Sequence, residues 1–266
     1  MKVHDDTVDI AVDGQQIEGV LIAPRALPEN APGVLFVHGW GGNRDQYLSR
    51  ARIVAGLGCV CLTFDLRGHE RTQSQHETVT REDSLHDVLA AYDVVARCPA
   101  VDAGRIALVG SSYGGYIGAI ASALRPLRWL ALRAPALYKD EHWDSPKRKL
   151  HQDPDFADYR RRAHRTADNR ALEACGRFRG DALVIECEHD SVVPHPAVAN
   201  YVAAFANAHS LTYRVIEDAD HGLSATPWKQ AYTELLVTWL QEMTATSRGA
   251  TPEQPQAVGA AAAPES

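Results

Sequence analysis

Short runs of consecutive apolar residues recur along this chain, and a helical spacing of apolar residues follows most of them. Such runs, bounded by turn residues, are typical of strands buried in a parallel sheet. They occupy residues 34–37, 60–64, 106–109, 129–132, 182–185 and 212–216. Residues 7–12 and 16–22 instead alternate in polarity around Asp13-Gly14, which predicts an antiparallel hairpin. The pattern predicts an α/β fold with a mostly parallel, eight-stranded sheet and helices on both faces.

Two segments depart from this alternation of strands and helices. Residues 136–170 show no strand pattern and a high density of charge, so they form either a lid-like insertion over an active site or a solvated helical excursion. Residues 244–266 are rich in Ala, Pro, Gly, Gln and Glu, which predicts a disordered tail. The remaining residues, 1–243, are predicted to form a single domain.

Composition narrows the classes of function that need to be considered. The chain has 266 residues, of which 45% are hydrophobic, and a formal net charge of -7; this charge argues against nucleic acid as a partner. The first residues lack the pattern of a signal peptide, and no apolar run is long enough to span a bilayer. The five cysteines include no C-x-x-C pair and are interpreted as reduced thiols. We therefore expect a cytoplasmic protein with no membrane partner, either a monomer or a homodimer.

A sharp turn carrying a serine is predicted between the apolar run at 106–109 and the helix after it. The sequence of the turn is Gly110-Ser111-Ser112-Tyr113-Gly114, which fits the G-x-S-x-G pattern of a nucleophile elbow. The flanking glycines avoid collisions in the turn, and the central serine is left strained with its hydroxyl exposed above the sheet. Ser111 competes for this role, but only Ser112 has a glycine two positions away on both sides. We predict that Ser112 is a nucleophile.

A serine hydroxyl needs a neighbouring base, and histidine is the usual one because its pKa lies near neutral pH. His221 follows the last predicted strand, so its loop meets Ser112 at the carboxyl edge of a parallel sheet. Asp190 follows the preceding strand and is predicted to orient the imidazole, which gives the expected chain order Ser, Asp, His. Glu188 is the rival for this role, whereas the two aspartates just before His221 are too close along the chain to orient it easily.

A glycine-rich loop follows the apolar run at 34–37, with the sequence His38-Gly39-Trp40-Gly41-Gly42. A carbonyl under attack develops negative charge and requires preorganised donors. We predict that the backbone N–H groups of Trp40 and Tyr113 form this oxyanion hole, and that the side chains of Trp40, Tyr113 and Tyr116 contact an aromatic or apolar part of the substrate. The alternative, a phosphate cradle, is disfavoured because the loop lacks both the Gly-Lys-Ser/Thr ending and the G-x-G-x-x-G pattern.

These motifs together resemble the α/β-hydrolase superfamily over about residues 15–243. The resemblance rests on five sequences, namely His38-Gly39-Trp40-Gly41-Gly42, Asp65-Leu66-Arg67-Gly68, Gly110-Ser111-Ser112-Tyr113-Gly114-Gly115, Asp190 with Val193-Pro194, and Asp220-His221-Gly222. The run from Ser112 to Gly115 is similar to prolyl oligopeptidase-like enzymes and to small esterases of the dienelactone hydrolase and feruloyl esterase type. The resemblance implies that the second strand is antiparallel and that Ser112, Asp190 and His221 form a triad.

Two departures from the resembled families are visible. Relatives commonly continue the Arg-Gly loop as Gly-His-Gly-x-Ser, whereas this chain has Gly68-His69-Glu70-Arg71-Thr72. Dienelactone hydrolases proper use a cysteine nucleophile, and this chain has Ser112 instead, which disfavours that particular activity.

The predicted reaction is a two-step acyl transfer on a small-molecule carboxylic ester through an acyl-enzyme. It requires no organic cofactor, and the histidines show no metal-ligand spacing, so we expect neither a cofactor nor a metal. A peptidase or amidase is an alternative, disfavoured because no additional N-terminal domain that would select peptides by size is evident in the sequence. A thioesterase or C–C bond hydrolase uses the same triad. A non-catalytic ligand receptor built on the same scaffold is the alternative from another functional class.

Overall fold

The computed structural model describes residues 1–246. Its sheet has eight strands in the order β1-β2-β4-β3-β5-β6-β7-β8. The strands are β1 (Val3–Val12), β2 (Gln15–Pro24), β3 (Ala31–Val37), β4 (Val60–Phe64), β5 (Val101–Ser111), β6 (Trp129–Arg133), β7 (Asp181–Cys187) and β8 (Ser210–Ile216). Strand β2 is antiparallel to both β1 and β4, and the other neighbouring pairs are parallel. The predicted eight-stranded, mostly parallel sheet is confirmed.

The hairpin of β1 and β2 forms where the sequence predicts it. Asp13 and Gly14 occupy the turn with φ angles of 47° and 74°, the left-handed conformations that a two-residue hairpin turn requires. The register pairs Val12 with Gln15 directly across the turn. The alternating apolar residues therefore point to one face, and Ile10 and Ile17 are buried in the core.

Helices cover both faces of the sheet. They are α1 (Asp45–Gly56), α2 (Arg81–Ala96), α3 (Tyr113–Ala121), α4 (Phe156–Arg161), α5 (Arg170–Arg177), α6 (His195–Ala204) and α7 (Thr226–Thr246). One core cluster lies between the sheet and α1 with α7, and a larger one lies between the sheet and α2, α3, α5 and α6. Because β3 to β8 are parallel, the loops that leave their carboxyl ends meet at one edge of the sheet.

The segment 136–170 contains α4 and short 3₁₀ turns at Lys147–Gln152 and Thr166–Asp168. Two contacts tie it to loops that follow β4 and β7: the N–H of Lys147 donates to the carbonyl of Val79 at 2.8 Å, and Arg160 donates to the carbonyl of Val192 at 3.0 Å. Within the segment, Arg160 also donates to the carbonyl of Leu137 at 3.0 Å. These contacts fasten the segment to the carboxyl edge of the sheet. That this segment opens and closes as a lid over the active site stays a prediction.

The last helix extends slightly beyond the predicted end of the domain, since α7 continues to Thr246. The rest of the predicted disordered tail, residues 247–266, lies outside the described residues. Within residues 1–246, none of the helices combines the length and the apolar character needed to cross a membrane.

Candidate active site

Ser112 lies in the tight turn between β5 and α3. Its backbone has φ 52° and ψ -117°, a strained conformation for a residue with a side chain. The two glycines of the motif are required by packing. A Cβ at Gly110 would lie 2.6 Å from the carbonyl oxygen of Gly114, and a Cβ at Gly114 would lie 2.4 Å from the carbonyl oxygens of Val37 and His38. The strand-to-helix turn predicted from the sequence is therefore present, with the hydroxyl of Ser112 at the start of a helix.

Three side chains from three different loops meet at this turn. The Oγ of Ser112 is 3.0 Å from Nε2 of His221, and Nδ1 of His221 is 2.6 Å from Oδ2 of Asp190. The carboxylate accepts a hydrogen bond from Nδ1–H, which assigns the free lone pair of the neutral ring to Nε2. In that tautomer Nε2 accepts the hydrogen bond of the Ser112 hydroxyl. The structure thus brings together the three residues predicted from the sequence.

The loop around Asp190 holds its carboxylate in place. The Asp190 side chain is 3% exposed, and its second oxygen, Oδ1, accepts hydrogen bonds from the N–H groups of Val192 and Val193 at 2.8 Å and 2.7 Å. Both carboxylate oxygens are therefore engaged, one by the imidazole and one by the backbone. A carboxylate held in this way fixes the orientation of the His221 ring.

The rival residues make other contacts. The Oγ of Ser111 accepts hydrogen bonds from the hydroxyl of Tyr47 at 2.5 Å and from Nε of Arg133 at 3.1 Å, so Ser111 joins α1 and β6 and does not contact His221. Glu188 accepts from the N–H of Asp218 at 2.8 Å and structures the loop.

The glycine-rich loop after β3 lies beside Ser112. A Cβ at Gly39 would lie 3.3 Å from the Cβ of Ser112, so only a residue without a side chain fits here comfortably. The backbone of this loop therefore packs directly against Ser112 at Gly39, the residue before Trp40. Within residues 1–246, the N–H groups of Trp40 and Tyr113 have no acceptor. An oxyanion hole requires backbone donors that are free of internal acceptors, and the assignment of these two N–H groups to one stays a prediction.

Two histidines that the sequence analysis did not single out brace this loop. Nε2 of His69 accepts a hydrogen bond from the N–H of Gly41 at 3.0 Å. Nε2 of His38 accepts one from the N–H of Leu66 at 3.0 Å. Burial lowers the pKa of both rings, that of His38 to about 3. Both rings are thus neutral at pH 7 and keep an acceptor nitrogen. In the sequence, the only signal for these two contacts was a histidine in the loop that follows each of two strands.

The buried His38 ring makes folding stability dependent on pH. In the unfolded chain its pKa is near 6.5, and in the folded protein it is about 3. The unfolded chain therefore takes up a proton that the folded chain cannot, and the free energy of unfolding falls by about 1.4 kcal/mol for each pH unit below about 6.5. Denaturant unfolding of wild type and His38→Gln between about pH 6.5 and about pH 4.5 measures this slope. We expect the stability of wild type relative to the variant to decrease with falling pH, and a pH-independent difference would contradict the assignment.

The aromatic side chains do not all lie where the sequence predicted. Trp40 lines the cavity in front of Ser112, packed edge-on against Tyr113 at 5.5 Å. The prediction that Tyr113 and Tyr116 contact the substrate through their side chains is wrong, because both rings are completely buried. The hydroxyl of Tyr113 donates to Oγ of Ser84 at 3.0 Å, and that of Tyr116 accepts from Arg81 at 3.4 Å. They belong to the core because α3 is enclosed between the sheet, α2 and α5.

Ser112 and His221 open into a cavity of about 910 Å³ that continues between α1 and α7. Its wall next to the serine is formed by Gly39, Trp40 and Gly222. A volume of this size is ample for a small-molecule substrate. Ligand atoms of Glu188, His189 and Asp218 lie within 4.8 Å of one another on the exposed surface of the chain that the structure describes. Exposed carboxylates commonly cluster in this way without an ion, so we assign no metal site there.

Comparison with known proteins gives a family match over most of the chain. Residues 34–235 match the sequence model of the alpha/beta hydrolase family. The mitochondrial palmitoyl-protein thioesterase ABHD10 of Homo sapiens is 30% identical over 121 residues, which are 45% of this chain and 38% of that protein. The chain thus aligns with well under half of the length of this relative.

Solved structures match more of the chain at lower identity. The dienelactone hydrolase from Anabaena variabilis has a TM-score of 0.66 at 18% identity, covering 91% of this chain and 99% of its own. The acylaminoacyl peptidase of Pyrococcus horikoshii has a TM-score of 0.69 at 15% identity, covering 91% of this chain and 42% of its own. At these identities both structures show the fold alone.

Proposed function

Because this chain belongs to the alpha/beta hydrolase family, we propose that it is a serine hydrolase that cleaves carboxylic esters. The observation that carries the proposal is the continuous hydrogen-bonded series from Ser112 through His221 to Asp190, with distances of 3.0 Å and 2.6 Å. It begins at a serine that opens into a cavity. A serine, a base and a group that orients the base are the requirements of nucleophilic acyl transfer.

The proposed reaction has two steps. Oγ of Ser112 attacks the carbonyl carbon while its proton passes to Nε2 of His221, and the N–H groups of Trp40 and Tyr113 stabilise the oxygen that becomes negative. The bond from the carbonyl carbon to the leaving oxygen then breaks, and the imidazolium returns the proton to the departing alcohol. In the second step water loses a proton to the same nitrogen and attacks the carbonyl carbon of the acyl-enzyme. The bond from that carbon to Oγ of Ser112 then breaks, the imidazolium returns the proton to Oγ, and the acid is released.

One comparison supports an oxygen ester as the substrate. The dienelactone hydrolase fold matches nearly the full length of both chains, whereas the peptidase is matched over 42% of its length. The local identity of 30% to a palmitoyl-protein thioesterase makes a thioester the second candidate substrate.

Matched substrates distinguish these activities. We expect the p-nitrophenyl ester of a short acyl group to be hydrolysed with a higher kcat/KM than the thioester and the anilide of the same acyl group. Labelling with a fluorophosphonate, followed by peptide mass spectrometry, should place the adduct on Ser112. A faster thioester reaction would favour the second candidate. The absence of turnover for all three substrates, together with the absence of labelling, would contradict the proposal and favour a receptor.

A further inference from the structure

The cavity at Ser112 continues as a groove between α1 and α7, and its charged lining is mostly cationic. The charged side chains of this lining are Arg50, Arg133, Lys229 and Glu234, together with the titratable His221. Arg50 is on α1, Arg133 ends β6, and the other two residues are on α7. Lys229 and Glu234 are exposed to solvent, whereas both arginines are partly buried, so the arginines decide the charge of the inner wall.

Arg133 is held rigidly but retains unused donors. Its Nε donates to Oγ of Ser111 at 3.1 Å, and its Nη1 donates to the carbonyl of His221 at 2.7 Å and contacts Sγ of Cys187 at 3.5 Å. A guanidinium group has five N–H donors. Within residues 1–246, no acceptor faces Nη2 of Arg133. The group is therefore fixed next to the His221 loop with two donors available.

Arg50 approaches the same place from the opposite wall. Its Nε donates to Oγ1 of Thr233 at 2.9 Å and its Nη1 to the carbonyl of Gln46 at 2.9 Å, and in the described chain its Nη2 has no acceptor. The guanidinium carbons of Arg50 and Arg133 lie 4.6 Å and 5.6 Å from the ring centre of Tyr232. The hydroxyl of Tyr232 is buried and has no hydrogen-bond partner among the described residues. Two cations thus converge on one aromatic ring.

Neither arginine has a counter-ion among the residues that the structure describes. Among residues 1–246, no carboxylate lies within 4 Å of either guanidinium group, including that of Glu234 on the same groove. Other arginines of the chain are paired, such as Arg162 with Asp155 at 2.6 Å and Arg165 with Asp168 at 2.8 Å. Two like charges held close together in a partly buried site without a counter-ion are costly, and an anion from outside the chain would offset that cost.

We propose that this groove binds a carboxylate carried by the substrate itself, at a distance from the bond that is cleaved. Arg133 and Arg50 would each contribute their Nη2 donors to that carboxylate, and the groove would hold the chain that joins it to the reacting carbonyl. The inference rests on the proposed function and makes it narrower: the substrate class is an ester with a free carboxylate on its acyl or its alcohol part. The planar guanidinium fork suits carboxylates.

Two pairs of substrates test the preference for charge. The first pair is mono-p-nitrophenyl glutarate and its methyl-capped counterpart, which carries no charge. The second pair is 4-acetoxybenzoate and its methyl ester, which places the carboxylate on the alcohol part. We expect kcat/KM to be about tenfold higher for the charged member of at least one pair. A factor of this size corresponds to the low end of what a hydrogen bond to a charged group contributes. This preference should decrease as salt concentration rises, because part of the groove is open to solvent.

Variants connect the preference to the two arginines. Arg50→Met and Arg133→Met should each bring the ratio of charged to neutral substrate towards one. Arg133→Met also releases the His221 carbonyl and so lowers activity in general. Because the ratio is measured within each variant, this general loss affects both substrates equally and leaves the ratio unchanged. Arg52→Met is the matched control: Arg52 is on the same helix but pairs with Asp5 at 2.6 Å, and its ratio should equal that of wild type.

Binding without turnover separates this proposal from the proposed function. Ser112→Ala, titrated calorimetrically with the intact charged and capped esters, should bind the charged ester more tightly by a comparable factor. Equal binding and equal kcat/KM within both pairs would overturn the carboxylate site while leaving ester hydrolysis in place. Preferential binding of the charged ester by a protein that hydrolyses neither member would support the carboxylate site and contradict the hydrolase.

Discussion

Ser112→Ala is expected to lower kcat for ester hydrolysis by about 10⁶-fold, to the level at which only binding and the oxyanion donors contribute. The alanine removes the atom that forms the acyl-enzyme, and no other hydroxyl lies within hydrogen-bonding distance of His221 Nε2 in the described chain. His221→Ala should cause a loss of similar size, because the serine hydroxyl is a weak nucleophile without a base. The measurement is the steady-state rate of release of p-nitrophenol from a short-chain ester, with active-site titration to exclude contaminating hydrolases.

The double variant and a neighbouring serine provide the controls. Since the two residues act as one unit, Ser112→Ala with His221→Ala should be scarcely slower than either single variant. Ser111→Ala changes the same residue type one position away, where the hydroxyl only joins Tyr47 and Arg133, and we expect a far smaller loss. A severe loss in Ser111→Ala combined with near-normal turnover in Ser112→Ala would contradict the assignment of the nucleophile.

The parts of the fold that the sequence predicts well are those fixed by local rules. A strand buried on both faces is apolar at nearly every position, so the apolar runs at β3, β4 and β5 were recognisable. The turn at Ser112 was recognisable for a steric reason, since the Gly110 and Gly114 positions leave no room for a Cβ. Helix α5 (Arg170–Arg177) was not predicted, although its buried residues Ala171, Leu172, Ala174 and Cys175 have helical spacing, because it spans only eight residues and its start depends on the side chain of Asn169 accepting from the backbone.

The parts that the sequence could not predict depend on which loops become neighbours. His69 braces the glycine-rich loop only because β3 and β4 are adjacent and parallel. The burial of Tyr113 and Tyr116 depends on α2 and α5 covering α3, which the sequence indicates only through the apolar character of α3 on all sides. From the sequence alone, Arg133 is recognisable only as a polar residue at the end of a strand. That no carboxylate of residues 1–246 pairs with it can be recognised only when the surroundings from α1 and α7 are known.

Asp190→Asn is expected to lower kcat by about 10³–10⁴-fold while leaving the fold intact. Oδ1 of Asp190 accepts from the N–H groups of Val192 and Val193, so the oxygen of asparagine takes that position and its NH₂ group faces Nδ1 of His221. Nδ1 must then accept a hydrogen bond and the proton moves to Nε2, where it blocks the ring from acting as a base towards Ser112. The imidazolium formed during the reaction also loses its counter-charge.

Glu188→Gln is the matched control, a carboxylate changed to an amide in the same loop. Its side chain accepts from the N–H of Asp218, a bond that the amide oxygen can retain, so we expect kcat close to wild type. Measured together by steady-state kinetics, the two variants decide which carboxylate orients His221. If Asp190→Asn were nearly silent and Glu188→Gln severe, Glu188 would be the orienting acid, and the 2.6 Å contact between Asp190 and His221 would be only structural. Fluorophosphonate labelling gives a second readout: Asp190→Asn should react with the probe far more slowly than Glu188→Gln, because that reaction too requires the base form of Nε2.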